Sequence, residues 1–301
     1  MPNNNKYHSF KIYGWLGLLL IAFGEVIVIF QSHSAITWEI CRWTTPICWW
    51  GYLLFMDALI FKLKGTSLIS NKKKEFLLQI VVSIIIWVIF EVYNLYLQNW
   101  EYINLHENIV LRYFGYALAF ATIMPGIFLT AEFFETVGIF NRFRIANLKL
   151  SPRFMYVWLI FGCILLILPL LIEQQIAQYL FIMVWIGFIF LLEPIAHASG
   201  AGSLLRDLEQ GKLNRILCLL LAGIICGFLW EFWNYWAVTK WVYKVPFTER
   251  IKIFEMPLIG FAGFIPFAWE YFVMYSCVKL LIKKERGTDE KENTGHKTTI
   301  Y

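Results

Sequence analysis

Phe90-Glu91-Val92-Tyr93-Asn94 and Trp230-Glu231-Phe232-Trp233-Asn234 decide how this chain is read. Each sets a carboxyl three residues before an amide, so both side chains share one helix face. Trp100-x-Tyr102 follows the first stretch and Trp241-x-Tyr243 the second. Upstream, Gly51-x5-Asp57 is matched by Gly187-x5-Glu193, and Ser67-Leu68 by Ser203-Leu204. Downstream, Pro125 and Pro266 each follow the Trp of their copy by 25 residues. The offset drifts only from 136 through 140 to 141 residues, which marks an internal repeat.

The surrounding composition names the solvent. Of 301 residues 59% are hydrophobic and 16% charged, and the mean hydropathy is +0.60. Soluble domains carry about 45–50% apolar and about 25% charged residues. The 19% aromatic content excludes a disordered chain. A spanning helix needs about 20 mostly apolar residues, and eight such runs are read at 13–31, 46–63, 76–97, 109–138, 154–174, 178–197, 213–238 and 253–282. The fold class is therefore an all-α polytopic membrane protein. Pro125 and Pro266 lie inside the fourth and eighth runs and are expected to bend them.

Two four-span halves, 13–138 and 154–282, share one orientation, so a pseudo-two-fold axis along the membrane normal is expected. A tail (1–12), a basic linker (139–153) and a polar, disordered tail (283–301) complete the division. Of 26 Lys and Arg residues, 20 fall on the side of the two termini and 6 on the other. The positive-inside rule puts that side in the cytoplasm. The first run reads as an uncleaved anchor. There is no Asn-x-Ser/Thr site, which fits a cell membrane of the bacterial inner type. Four of the outer bases lie between the last two runs, where a basic rim would attract anionic headgroups or substrate. Cys41 and Cys48 lie near the outer surface, where a disulfide is permitted. No Cys or His spacing resembles a metal site, and the sequence leaves any cofactor unknown. The Gly-rich turn at 199–202 lacks the lysine of a phosphate loop, and nothing points to nucleic acid.

Glu25, Asp57, Glu91, Glu132, Glu193, Glu231 and Glu270 fall within or at the ends of apolar runs, with no base deep among them. An acid at mid-membrane costs about 2.5–3.5 kcal/mol on insertion scales. Repeating that cost in both halves points to a cavity lined by Glu91, Asn94, Glu231 and Asn234. Asp57, Glu193, Tyr93, Trp100, Tyr102, Trp233, Trp241 and Tyr243 are its expected substrate-contacting wall. A neutral carboxyl in a dry site is a good general acid, and aromatic faces hold cations by about 2 kcal/mol or more when desolvated. Protonation of an alkene in an isoprenoid, carotenoid or lipid is the expected chemistry, with the bilayer and a hydrophobic small molecule or lipid as partners. A proton- or cation-coupled transporter and a non-catalytic membrane subunit are the alternatives.

Trp230-Glu231, Trp241-x-Tyr243, Met256-Pro257-Leu258 and Trp269-Glu270-Tyr271-Phe272 together resemble the pattern of membrane-embedded carotenoid-modifying enzymes, the small integral-membrane lycopene cyclases and carotenoid hydratases. The resemblance covers about 45 residues of the second half. It implies several spans, a carotenoid substrate, and Glu231 and Glu270 as the acids. The chain lacks the paired Pro-x-Glu-Glu of the cyclases.

Overall fold

The computed structural model describes residues 7–244 and 251–295, apart from the side chains of Ile259 and residues 284–295. Eight helices are long and apolar enough to cross a membrane. They are Ile12–Ile29 (span 1), Thr44–Lys64 (span 2), Lys73–Leu97 (span 3), Ile109–Val137 (span 4), Pro152–Leu171 (span 5), Gln174–Ala198 (span 6), Asn214–Trp236 (span 7) and Gly260–Lys283 (span 8). In hydrocarbon a backbone must satisfy its own hydrogen bonds, which leaves these segments only the helix. Their ends are written locally. Gly65 and Gly138 stop spans 2 and 4 at φ 78° and 77°, a conformation that glycine adopts without steric cost. Ser151 caps span 5, with Pro152 in its first turn.

The structure corrects four expectations. The fold is not purely helical: β1 (Trp100–Ile103) pairs antiparallel with β2 (Lys240–Tyr243), and β3 (Lys252–Ile253) with β4 (Met256–Pro257). The second pair occupies the start expected for the last span, which begins instead at Gly260. Pro125 interrupts span 4 as expected, one turn before its own position, and only Pro266 fails to bend a helix at its middle. Span 4 is two pieces, Ile109–Phe120 and Ile123–Val137, and Pro125 is third in the second. Pro266 is likewise third in the helix Phe264–Gly295. First-turn amides have no intrahelical acceptor, so a missing N–H costs nothing there. Finally, the last helix runs on past the expected end of the span, as far as Gly295. Adding a turn to an existing helix avoids the nucleation cost, and Lys, Glu and Arg are good helix formers. Residues 1–6, 245–250 and 296–301, with Arg250 of the expected basic rim, lie outside the described residues.

Span 1 packs on span 2, and span 5 on span 6. Span 2 packs on span 4, and span 6 on span 8. Span 4 meets span 7, and span 8 meets span 3. Spans 1 and 5 stay outermost, and most of their residues face away from the bundle. Glycines let the outer helices close in, as small residues do in membrane bundles. A Cβ on Gly17 would reach the Gly51 carbonyl at 2.5 Å. One on Gly162 would strike the Leu191 backbone. Cys41 and Cys48 are both free and buried on separate helices, so no bridge joins them.

Gly162→Ala is expected to lower the stability of the purified chain by about 1–3 kcal/mol, because the colliding atoms are backbone. Gly115→Ala adds a methyl only 3.6 Å from Trp43 and should leave the thermal midpoint unchanged or raise it. Thermal unfolding in detergent measures both.

Candidate functional site

The two repeated acids sit beneath the β1–β2 pair. Asn94, at the end of span 3, donates to the Trp100 carbonyl (2.8 Å) and accepts from the amides of Asn99 and Trp100. Asn234, at the end of span 7, donates to the Trp241 carbonyl (2.8 Å) and accepts from the Trp241 amide. Each amide thus folds its strand back over its own acid. In the pair, Trp100 stands opposite Tyr243 and Tyr102 opposite Trp241.

Glu91 Oε1 accepts three hydrogen bonds, from Tyr102 Oη (2.6 Å), Trp87 Nε1 (2.8 Å) and Trp100 Nε1 (3.1 Å). Glu231 Oε1 accepts from Tyr243 Oη (2.7 Å) and Trp241 Nε1 (3.3 Å). Glu231 is fully buried, and its Oε2 has no partner. The difference has a cause in sequence. At the 140-residue offset that relates the acids, Trp87 corresponds to Gly227. No third indole is available, and Phe264 fills the space against that glycine.

A cavity of about 130 Å³ lies below the strands. A cavity of about 150 Å³ admits one benzene ring. Its wall holds Trp43, Trp49, Trp87, Trp100, Trp185, Trp230 and Trp241, with Phe264, Phe267, Tyr102 and Tyr243. Glu231 is the only acid in the wall among the described residues. Thr45 and Trp49 also line it, and Thr45 Oγ1 and Trp49 Nε1 are buried without partners. Native interiors leave few such atoms unpaired, so three around one void suit a ligand with a polar feature. Arg42, His106, Arg112 and Lys240 belong to the same lining. Arg42 and His106 share Glu39, and Lys240 pairs with Glu255. Arg112 has no carboxylate partner among the described residues, and its Nε donates to the His106 carbonyl.

Of the expected site residues, Glu231, Trp100, Tyr102, Trp241 and Tyr243 line this cavity. Glu91 lies behind the side chains that bond it. The others do not line it. Asn94 and Asn234 position the strands and do not line the cavity. Asp57 accepts from Tyr13 Oη, Ser67 Oγ and the Ile69 amide, and Glu193 from Ser203 Oγ and the amides of Leu204 and Leu205. Those carboxyls satisfy backbone donors where short helices begin, at the bundle end opposite the strands. Tyr93 donates to the Leu166 carbonyl of span 5. Trp233 donates to Glu25 on the bundle flank. Glu270 is fully buried, accepts from the Phe188 amide and does not line this cavity. The reading from sequence missed Trp49 and Trp185, although the two stand 136 residues apart, the offset of the first landmarks. It also missed Trp87, whose absence from the second copy hid it.

No family model matches this chain, and no curated protein and no solved structure matches it either.

Burial, then the neighbouring Glu91 and Glu231 carboxyls, holds the Tyr102 and Tyr243 phenols well above the ordinary tyrosine range. In the unfolded chain both titrate near ~10. Folding therefore retains protons that the unfolded state releases above pH ~10, and stability falls as pH rises past that point. Below it the contribution is complete. Thermal midpoints between pH 8 and 11 should show that fall, and the double variant Tyr102→Phe, Tyr243→Phe should show less of it.

Proposed function

We propose that the chain is an acid-catalysed membrane enzyme that takes the unsaturated end of an isoprenoid, carotenoid or lipid into the tryptophan-walled cavity. The observation that carries this reading is Glu231 Oε2, buried, without a partner, on a carboxyl that lines the cavity. An ionised carboxylate there would leave half its charge unsolvated, which is costly. In this reading the proton rests on Oε2. It passes to one carbon of a C=C bond, leaving a cation on the other carbon. The aromatic faces stabilise that cation. A neighbouring C=C bond then closes on it, or the cation simply loses a proton from an adjacent carbon. Either way one proton returns to the Glu231 carboxylate, and no oxidant or second reactant is needed. Tyr243 and Trp241 hold Oε1 and so aim Oε2. Arg42, His106 and Arg112 at the rim suit the polar or anionic end of an amphiphile.

The two halves are proposed to be copies of one four-span unit about an axis between β1 and β2. Supporting this, Trp100 faces Tyr243 while Tyr102 faces Trp241, an exchange that a two-fold axis requires. The packing of spans 1 on 2, 2 on 4 and 4 on 7 also recurs as 5 on 6, 6 on 8 and 8 on 3. Both termini are placed in the cytoplasm, with the strands outside, on the 20 to 6 distribution of bases. A rocking transporter fits the site less well, because the strand pair and the Asn104–Val238 bond (3.0 Å) tie the halves together on that face.

Lipids and pigments extracted from cells with and without the gene test the function. Expression should convert at least one unsaturated species. Glu231→Gln, which removes the proton and keeps the shape, should cut that conversion by roughly 10²–10⁴-fold. An unchanged lipid profile together with Glu231-dependent uptake of a solute would replace the enzyme by a transporter.

A further inference from the structure

We infer a second binding site, on the flank of the bundle, for an ammonium group carried by a lipid head. Spans 1 and 7 leave a groove of about 330 Å³ lined by Glu25, Thr44, Phe232, Trp233 and Trp236, among others. Glu25 lies four residues before the end of span 1. At 1.5 Å per residue that is about 6 Å from the helix end, the depth of lipid headgroups. It is the end that carries the strands, since Cys41 Sγ donates to the Ile27 carbonyl and the Val238 amide to the Cys41 carbonyl.

The groove offers an organic cation each contact it needs. Glu25 Oε1 accepts one hydrogen bond, from Trp233 Nε1 (3.1 Å). No Lys, Arg or His among the described residues forms an ion pair with Glu25. Thr44 is 2% exposed, lines the groove, and leaves its Oγ1 without a partner. Two indoles and a phenyl ring complete the lining, and aromatic faces are the common recognition device for ammonium groups. The carboxylate repels phosphate and selects for positive charge. The groove lies between two spans, with Val28 and Ile29 at its edge, so the ammonium arrives from the lipid side with acyl chains against the span. A soluble amine has the same head chemistry without those chains. This site does not depend on the chemistry of the central cavity, although Trp233 also packs on Trp49 of the cavity wall (5.1 Å between rings).

The full-length chain in nanodiscs of phosphatidylglycerol doped with phosphatidylethanolamine provides the test. Lipids retained after detergent washing are quantified by mass spectrometry. The wild type should enrich phosphatidylethanolamine over phosphatidylglycerol. Glu25→Gln, nearly isosteric, should retain about tenfold less of it, equivalent to ~1.4 kcal/mol, with phosphatidylglycerol unchanged. Trp236→Ala, at a half-exposed ring, should lower retention in the same direction. Glu231→Gln should retain as much as the wild type, which separates this site from the cavity. Equal retention by wild type, Glu25→Gln and Trp236→Ala would overturn the inference. Displacement by free ethanolamine as effective as that by the lipid would overturn the lipid source and leave the amine.

Discussion

A carboxyl inside an apolar bundle must find its donors within the protein, because hydrocarbon supplies none. Glu91 and Glu231 meet that demand with indoles and phenols delivered from outside the spans. The helix must therefore end soon after each acid, and the chain must turn back over it. Asn94 and Asn234 make the turn by bonding the first backbone groups beyond it. The Trp-x-Tyr strands then lie side by side and pair with each other. The cavity is the space left beneath that pair, since seven indoles cannot fill a bundle axis as compactly as branched aliphatic side chains.

The spans were legible because bilayer thickness sets a length and an apolar content that each helix must meet. Their packing was partly legible: plain apolar runs at the start of each half are the outermost helices. The strand pair was harder to see. Trp100–Ile103 and Lys240–Tyr243 are four residues each, and their pairing spans 140 residues of sequence, so no local period announces it. Asp57 and Glu193 illustrate the opposite error. A repeated acid signals a repeated need, but the need can be structural. Both carboxyls receive a Ser hydroxyl and backbone amides from the helix start ten residues on. The Ser-Leu landmarks that follow each acid were the sign of that role.

Repetition and function separate at the difference between Trp87 and Gly227. If the two halves are copies of one unit, as proposed, the proposed catalysis gains nothing from treating the two acids alike. Glu91 has three donors on one oxygen and does not line the cavity. Glu231 has two, because the helix face that carries Trp87 in one half carries a glycine in the other. Phe264 approaches through that gap and makes the wall apolar where a donor would stand. The result is a carboxyl held firmly at one oxygen and unsolvated at the other, facing a void of aromatic rings. A proton donor for an apolar substrate needs both properties: fixed aim, and no competing acceptor nearer than the substrate. The rim is divided in the same way. At the offset of the first landmarks Arg42 corresponds to Gln178, and at that of the last Arg112 corresponds to Ile253. In the proposed repeat Arg42, His106 and Arg112 come from the half opposite the unsatisfied acid and Lys240 from its own, and the assembly around the strand pair brings them to one cavity.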